Sequence, residues 1–464
     1  MNAVFKHLKK NKVYIVFLLF LLAKLSIIYN YKTIWWDSAV YIGMGKYIYS
    51  LGNAGLWESS RPIIWPLLLG FLWKIGLNFM VIGRVMEILF GGLCILFTYL
   101  IGKKLFDEKT ALLSSIFLAL SPTFFFFNGI MLTEIVSTFF ALAAIYFFIG
   151  KKYFMSGALI GISFMTRFLQ VFVLISVFLA ILTHSTQKNI KNLKKVMTGF
   201  LLVIMPFLTL NQIFYNNALY PFLQQIFLSS NSGWPNYHSI SYYFIELFTE
   251  NFLYLFSILG LILVFKRSNL NKTLIAATFI VFFIFFNSIK QKEMRFLIVL
   301  LPYMYLFVSF SLLHFLNYFK NKSIRILFLM AMIFSIVVSL NTTYIYYKTE
   351  LNKNNQYAIF QDKLKEINSN NKIWISNPII SSSSNHRIGK LIYYPVFNEK
   401  KKNELIKDFK SADFIFVDSC DLACKPFDTK CEYDKNELLE FFKLQFRAVY
   451  SSYTRECRQF IFQK

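Results

Sequence analysis

The chain has 464 residues, 56% hydrophobic, 19% aromatic and only 16% charged, yet 49 Lys and Arg against 24 Asp and Glu leave a formal net charge of +25. Fifty-five phenylalanines exclude a disordered chain. A soluble chain of this length would split into several cores joined by polar linkers, and a nucleic-acid partner needs a basic face on such a soluble body. What remains is an integral membrane protein whose positive charge has to be located.

Hydrophobic stretches of about 20 residues, enough to cross a bilayer, recur to about residue 345. They lie near 13–30, 79–101, 111–127, 131–149, 155–167, 168–185, 196–214, 251–265, 273–289, 296–315 and 324–346. The short 155–185 pair reads as a broken hairpin with Arg167 at its tip. The first span runs into a Trp-rich segment with no small-residue cleavage site, so it is expected to stay as an anchor.

Cytoplasmic loops collect Lys and Arg. With the N-terminus inside, the inner segments carry Lys6, Lys9, Lys10 and Lys12; Lys103, Lys104 and Lys109; Lys151 and Lys152; Lys188, Lys191, Lys194 and Lys195; Lys266, Arg267 and Lys272; and Lys320, Lys322 and Arg325, opposed only by Asp107 and Glu108. The charge is therefore a topology signal, and no nucleic-acid partner is needed. An all-α polytopic membrane domain of about eleven transmembrane helices is expected over 1–347, N-terminus cytoplasmic. It has an outward first loop, 31–78, a second, 215–250, and is followed by an extracytoplasmic domain, 348–464.

Within the first loop, two interfacial helices are expected, Ser38 to Ser50 and Pro62 to Ile75. In the outer domain, Lys372–Ile380, Ala412–Asp418 and Gln445–Tyr450 read as strands and Glu399–Lys410 and Asp434–Lys443 as helices, a small α/β domain. Its Cys420, Cys424, Cys431 and Cys457 favour two disulfides outside the cytoplasm. A zinc site is the rival, without the paired C-x2-C knuckles that most structural zinc sites carry.

The informative charges are those that hydropathy does not explain. Asp37 follows Trp35 and Trp36 at the outer end of the first span. It reads either as the N-cap of the next helix or as an outward general base. Glu58 and Arg61, between Trp57 and Trp65, form either a local ion pair or a sugar-binding pair beside stacking indoles. Glu134 opens the fourth span between two apolar stretches. Arg84 and Glu87, three residues apart, suggest a helix-surface ion pair. Lys24 is the main charge in mid-membrane and reads as a snorkelling side chain. The run Lys290-Gln291-Lys292-Glu293-Met294-Arg295-Phe296 puts three cations on the outer face, against the positive-inside trend, where they suit a lipid phosphate.

In this order the pieces resemble the GT-C superfamily of membrane glycosyltransferases, which use polyprenyl-phosphate-linked sugars. The likeness covers residues 1–347: Asp37 with Tyr41 on the following helix, Arg61-Pro62 to Pro66-Leu67-Leu68, Arg84, and Glu134 at the outer end of a span. Lys292-Glu293-Met294-Arg295-Phe296 is similar to the H-K-E-x-R-F motif of mannosyltransferases of GPI and dolichol assembly, with Gln291 in place of its His. The protein O-mannosyltransferases and the lipid A aminoarabinose transferase are the other relatives in pattern.

This resemblance implies an inverting transfer of a mannose-like hexose from a polyprenyl- or dolichyl-phosphate carrier to an extracytoplasmic protein, glycan or lipid. Asp37 and Glu134 are then the catalytic acids. Lys292, Arg295, Glu293, Arg61, Glu58, Arg84, Arg167 and Tyr41 bind substrate. A divalent cation, Mg or Mn, is compatible with the resemblance, but the acids and five histidines specify none. A transporter or flippase of lipid-linked sugars is the alternative, and it would place its ionisable groups along a path through the bilayer.

Overall fold

A computed structural model describes residues 12–31, 33–231, 237–266, 268–319, 321–353, 355–393, 399–425, 427–453 and 457–464. Lys6, Lys9, Lys10, Arg267 and Lys320 of the charge pattern lie outside them. The chain forms two compact units. The first comprises Met1–Tyr31, Gly83–Ala218 and His238–Asn352; the second comprises Lys32–Ile82, Leu219–Tyr237 and Lys353–Lys464.

The first unit is helical. Every stretch expected to span contains a helix, and four of these helices, Phe79–Leu105, Gln187–Tyr215, Leu270–Ser288 and Lys322–Leu351, are long and apolar enough by length and composition to cross a membrane. Others are shorter, for local reasons. The 111–127 stretch breaks at Ser121, where Pro122 starts a new helix, Pro122–Phe127, and the Ser121 hydroxyl accepts the Phe124 N–H. The 155–185 pair forms helices Tyr153–Thr166 and Val171–Thr183 around a short turn, Phe168–Gln170, with Arg167 at the junction. Helix Tyr153–Thr166 lies backbone to backbone with Gln187–Tyr215. A Cβ on Gly157 would come within 1.9 Å of the Val196 carbonyl, and one on Gly199 within 2.2 Å of that of Phe154. Small residues at a crossing give this close approach between helices in lipid.

Lys24 does not snorkel. It is fully buried, and its ammonium donates to the Tyr31 hydroxyl at 2.6 Å, the Tyr347 hydroxyl at 2.7 Å and the Phe125 carbonyl at 2.7 Å. All three protons are accounted for within one cage, which joins the first span to helices Pro122–Phe127 and Lys322–Leu351.

The second unit is α/β. Its sheet contains β1 (Ile373–Ile375), β2 (Ile388–Leu391), β3 (Phe414–Asp418), β4 (Arg447–Tyr453) and β5 (Arg458–Gln463), in the order β2-β1-β3-β5-β4. The first three are parallel, while β5 is antiparallel to β3 and β4. Side chains alternate between two cores. Trp374, Ile415, Val417, Phe460 and Phe462 pack with Leu438, Leu439 and Phe442 of helix Thr429–Gln445. Ile373, Ile375, Phe416 and Ile461 pack with Phe360 and Leu364 of helix Ala358–Glu366 and with Val40 and Met44 of the first loop.

The first loop is thus part of this unit, and its helices are Trp36–Tyr49 and Ile64–Lys74. Buried Lys46 donates to the Ser382 carbonyl at 3.0 Å and the Ser384 carbonyl at 2.7 Å. Strands β2 and β5 and helix Ala358–Glu366 were not expected from the sequence; their short or charged runs carry weak periodic signals. Cys420–Cys457 and Cys424–Cys431 are disulfides, which leaves no place for the zinc alternative.

Candidate functional site

Ionisable side chains converge in each unit. In the first, Glu134 lies in the opening turn of helix Thr133–Ile149, where the helix dipole favours a carboxylate. It is 1% exposed. Arg167 Nη1 stands 3.0 Å from Glu134 Oε1 and donates to Thr133 Oγ1 at 3.3 Å. Arg295 Nε is 3.8 Å from the same oxygen and 2.5 Å from Glu293 Oε2, while its Nη2 reaches Glu293 Oε1 at 3.4 Å. Both guanidiniums lie over the Phe296 ring, 5.5 and 5.4 Å from its centroid. Two carboxylates and two guanidiniums therefore meet around one aromatic face, none of the four side chains more than 20% exposed.

The backbone beneath this cluster is clamped from two sides. Fully buried Tyr243 donates to the Glu293 carbonyl at 3.1 Å and accepts the Glu293 N–H at 3.2 Å. Lys292 turns away from the acids. Its ammonium donates to the carbonyls of Ile289 and His238, and burial lowers its pKa. On the other side, Glu87 accepts the backbone N–H groups of Gly129, Met131 and Leu132, which lead into Thr133 and Glu134. Glu87 is not the surface partner of Arg84: it is fully buried, and Arg84 Nη1 donates to the Ile28 carbonyl at 3.2 Å and lies over the Tyr31 ring. Tyr243 and Glu87 were missed as site residues. An apolar-looking tyrosine and a helix-spaced acid give no sign in sequence of the backbone groups they hold.

In the second unit, the helix begins at Trp36, so Asp37 falls inside the first turn and is not its N-cap. Asp37 Oδ1 is 2.9 Å from Arg61 Nη2, and Arg61 Nε is 3.0 Å from Glu58 Oε1. The same Glu58 oxygen accepts from Ser60 at 2.9 Å and Tyr393 at 3.4 Å, and Arg61 lies over the Tyr41 ring. Burial opposes the Arg61 charge, but Glu58 and Asp37 outweigh it and hold the guanidinium well above its ordinary range. Glu58 is nearly inaccessible, whereas Asp37 keeps 16% of its side chain open to solvent. Of the two acids it is the more accessible. Tyr393, from the C-terminal sheet domain, was not singled out from the sequence.

A divalent cation does not fit these donors. Arg61 already bridges Asp37 and Glu58, with its charge where a metal's would be. The group of three metal-type donors found among the described residues, Asp418, Cys420 and Cys457, has both sulfurs in one disulfide.

A family model for dolichyl-phosphate-mannose-protein mannosyltransferases matches residues 60–210. Among solved structures, ArnT from Cupriavidus metallidurans bound to undecaprenyl phosphate superposes with a TM-score of 0.66 at 11% identity, over 96% of this chain and 97% of that one. The chain has the GT-C fold. The archaeal oligosaccharyltransferase AglB from Archaeoglobus fulgidus, in complex with an inhibitory peptide and a dolichol-phosphate, aligns with a TM-score of 0.62 at 13% identity, over 97% of this chain and 74% of that one. An A. fulgidus oligosaccharyltransferase complex with Zn and sulfate aligns with a TM-score of 0.59 at 13% identity, over 97% and 73%. No curated protein sequence matches. A mostly helical chain with a small C-terminal sheet domain is what the sequence pattern implied and what is found, with four helices among the described residues long and apolar enough to cross a membrane where about eleven were expected.

Proposed function

We propose that this protein is an inverting glycosyltransferase that moves a mannose-like hexose from a polyprenyl- or dolichyl-phosphate carrier to an extracytoplasmic acceptor. The observation that carries the reading is the Glu134–Arg167–Arg295–Glu293 cluster: two guanidiniums of low exposure beside a buried acid in a GT-C fold. ArnT and AglB, which share the fold, are recorded with undecaprenyl phosphate and dolichol-phosphate.

In the proposed reaction an acceptor hydroxyl attacks the anomeric carbon and its proton passes to a carboxylate. The carbon–oxygen bond to phosphate breaks with inversion, and polyprenyl phosphate leaves with the bonding pair. Asp37 is the base, oriented by Arg61. Arg295 and Arg167 bind the phosphate and stabilise the charge that grows on it. Glu134 holds Arg167 in place. Lys292 and Arg84, which donate to backbone carbonyls, support the loops instead of touching the donor. No step needs a metal.

The eleven-span topology belongs to the same proposal, with the N-terminus cytoplasmic and 348–464 outside. In a background lacking Cys94, Ile190→Cys should resist a membrane-impermeant thiol reagent added to intact cells, whereas Lys410→Cys should react. The central test is a transfer assay over a panel of polyprenyl-phosphate sugars with Asp37→Ala membranes as control. Transfer of no sugar by wild-type membranes defeats the enzymatic reading. Wild-type rates from Asp37→Ala membranes defeat the assignment of Asp37.

A further inference from the structure

The carboxylate on Arg295 is the least expected feature of a phosphate site. Glu293 Oε2 takes Arg295 Nε at 2.5 Å and Glu293 Oε1 takes Nη2 at 3.4 Å, a two-point contact on one edge of the guanidinium. That is the geometry in which a guanidinium takes two phosphate oxygens. The contact is built. Tyr243, fully buried, holds both the N–H and the carbonyl of Glu293, so the carboxylate emerges from a backbone clamped at two points. Glu134, 3.8 Å from the same Arg295 Nε, has a side chain only 2% exposed, whereas that of Glu293 is 20% exposed. Of the two acids, Glu293 is the one whose side chain keeps surface open to water.

We propose that Glu293 is an internal stand-in for the donor's phosphate, holding Arg295 aimed while the site is vacant and competing for it with the lipid phosphate. The inference rests on the phosphate reading above. A sugar phosphodiester carries one negative charge, as Glu293 does, so donor and carboxylate compete nearly evenly. When the bond to sugar breaks, the phosphate gains a second charge and takes Arg295 from the carboxylate, so the exchange favours the transition state over the bound donor. After transfer the returning carboxylate helps the product phosphate to leave. Only hydrogen bonds and an ion pair change hands.

The test is direct binding of geranyl phosphate, a short prenyl monophosphate, to the full-length protein in lipid nanodiscs. Glu293→Gln should tighten binding about tenfold, an interaction worth about 1.4 kcal/mol. Arg295→Ala should weaken it below wild type, and the double variant should bind as poorly as Arg295→Ala, because the gain acts through Arg295. Arg295→Lys, which keeps the charge but cannot make the two-point contact, should lose most of the effect of Glu293→Gln if Arg295→Ala does not fold. Inorganic phosphate in a parallel titration distinguishes a free-ion site from a lipid one: equal affinity identifies a free anion as the ligand that Glu293 imitates. Unchanged or weaker binding by Glu293→Gln, with Arg295→Ala still impaired, overturns the stand-in and leaves the phosphate site. No binding by wild type and Glu293→Gln alike removes the phosphate reading itself.

Discussion

The Glu87 carboxylate accepts the backbone N–H of Met131 at 2.5 Å, across 44 residues of sequence. Met131 needs such a partner. Its φ is 67°, in the left-handed region that a side chain resists, and Gly129 two residues earlier has φ 102°. The sharp turn through 129–132 points three N–H groups at one carboxylate and delivers Thr133 and Glu134 to the helix start. A glutamine presents one acceptor oxygen and an NH2 that opposes the remaining donors. Glu87→Gln is therefore expected to destabilise the protein by roughly 2–3 kcal/mol and to lower kcat more than it raises donor KM. Thermal unfolding in nanodiscs and steady-state transfer read the two effects, and an unchanged melting temperature would contradict the role.

Asp37 and Arg61 give a second test. Asp37→Asn keeps the shape but cannot accept a proton, so transfer should fall by at least about a hundredfold with expression intact. Arg61→Lys supplies a point charge where a fork spans two carboxylates, and activity should drop by about tenfold or more. Parallel losses of kcat/KM at both positions are the expected signature. Full activity in Arg61→Lys would mean that the bridge does not matter.

Tyr243→Phe removes the hydroxyl that both donates to and accepts from the Glu293 backbone. At about 1 kcal/mol for each hydrogen bond, the aim of Glu293 and Arg295 loosens and donor affinity should weaken by about five- to thirtyfold. A titration of geranyl phosphate against this variant measures it, with the melting temperature recorded alongside.

The disulfides tie the C-terminal sheet together. Cys420 and Cys457 close a separation of 37 residues and Cys424 and Cys431 one of 7. Loop-closure entropy gives about 4 kcal/mol for the first and about 2.5 kcal/mol for the second. Replacing Cys420 and Cys457 by Ser should thus lower the unfolding temperature more than replacing the other pair. The reverse order would show that the strands around Cys457 hold without their bridge.

Asp421 makes the second unit sensitive to pH. It is buried and accepts from Tyr357 at 2.6 Å, Ser376 at 2.6 Å and Asn377 at 2.8 Å, yet burial outweighs these bonds, and with Asp418 nearby its pKa rises from 3.8 to about 7. The folded state binds the proton more tightly than the unfolded chain. Stability is therefore greatest below pH 4 on this account and declines as pH rises toward 7, by at most about 4 kcal/mol, then levels. Asp421→Asn should flatten that slope in melting curves taken from pH 4 to 8.

The helical stretches, the small C-terminal α/β domain and the ionisable residues of the two clusters were legible in the chain alone, with the number of spans and their sidedness as expectations. Apolar length and the Lys and Arg of short loops are local quantities, and charges against the hydropathy pattern stand out without any coordinates. Partner choice was decided only in three dimensions. Arg61 joins Asp37 to Glu58 and receives Tyr393 from more than 300 residues away as a neighbour of Glu58. Lys292 and Arg295, three residues apart in one motif, part ways: Lys292, ahead of the short 3-10 turn Met294–Val299, donates to backbone carbonyls, whereas Arg295, within it, meets Glu134 and Glu293. Buried charges must find partners wherever the fold brings them, and those partners leave no periodicity or spacing in the chain to read.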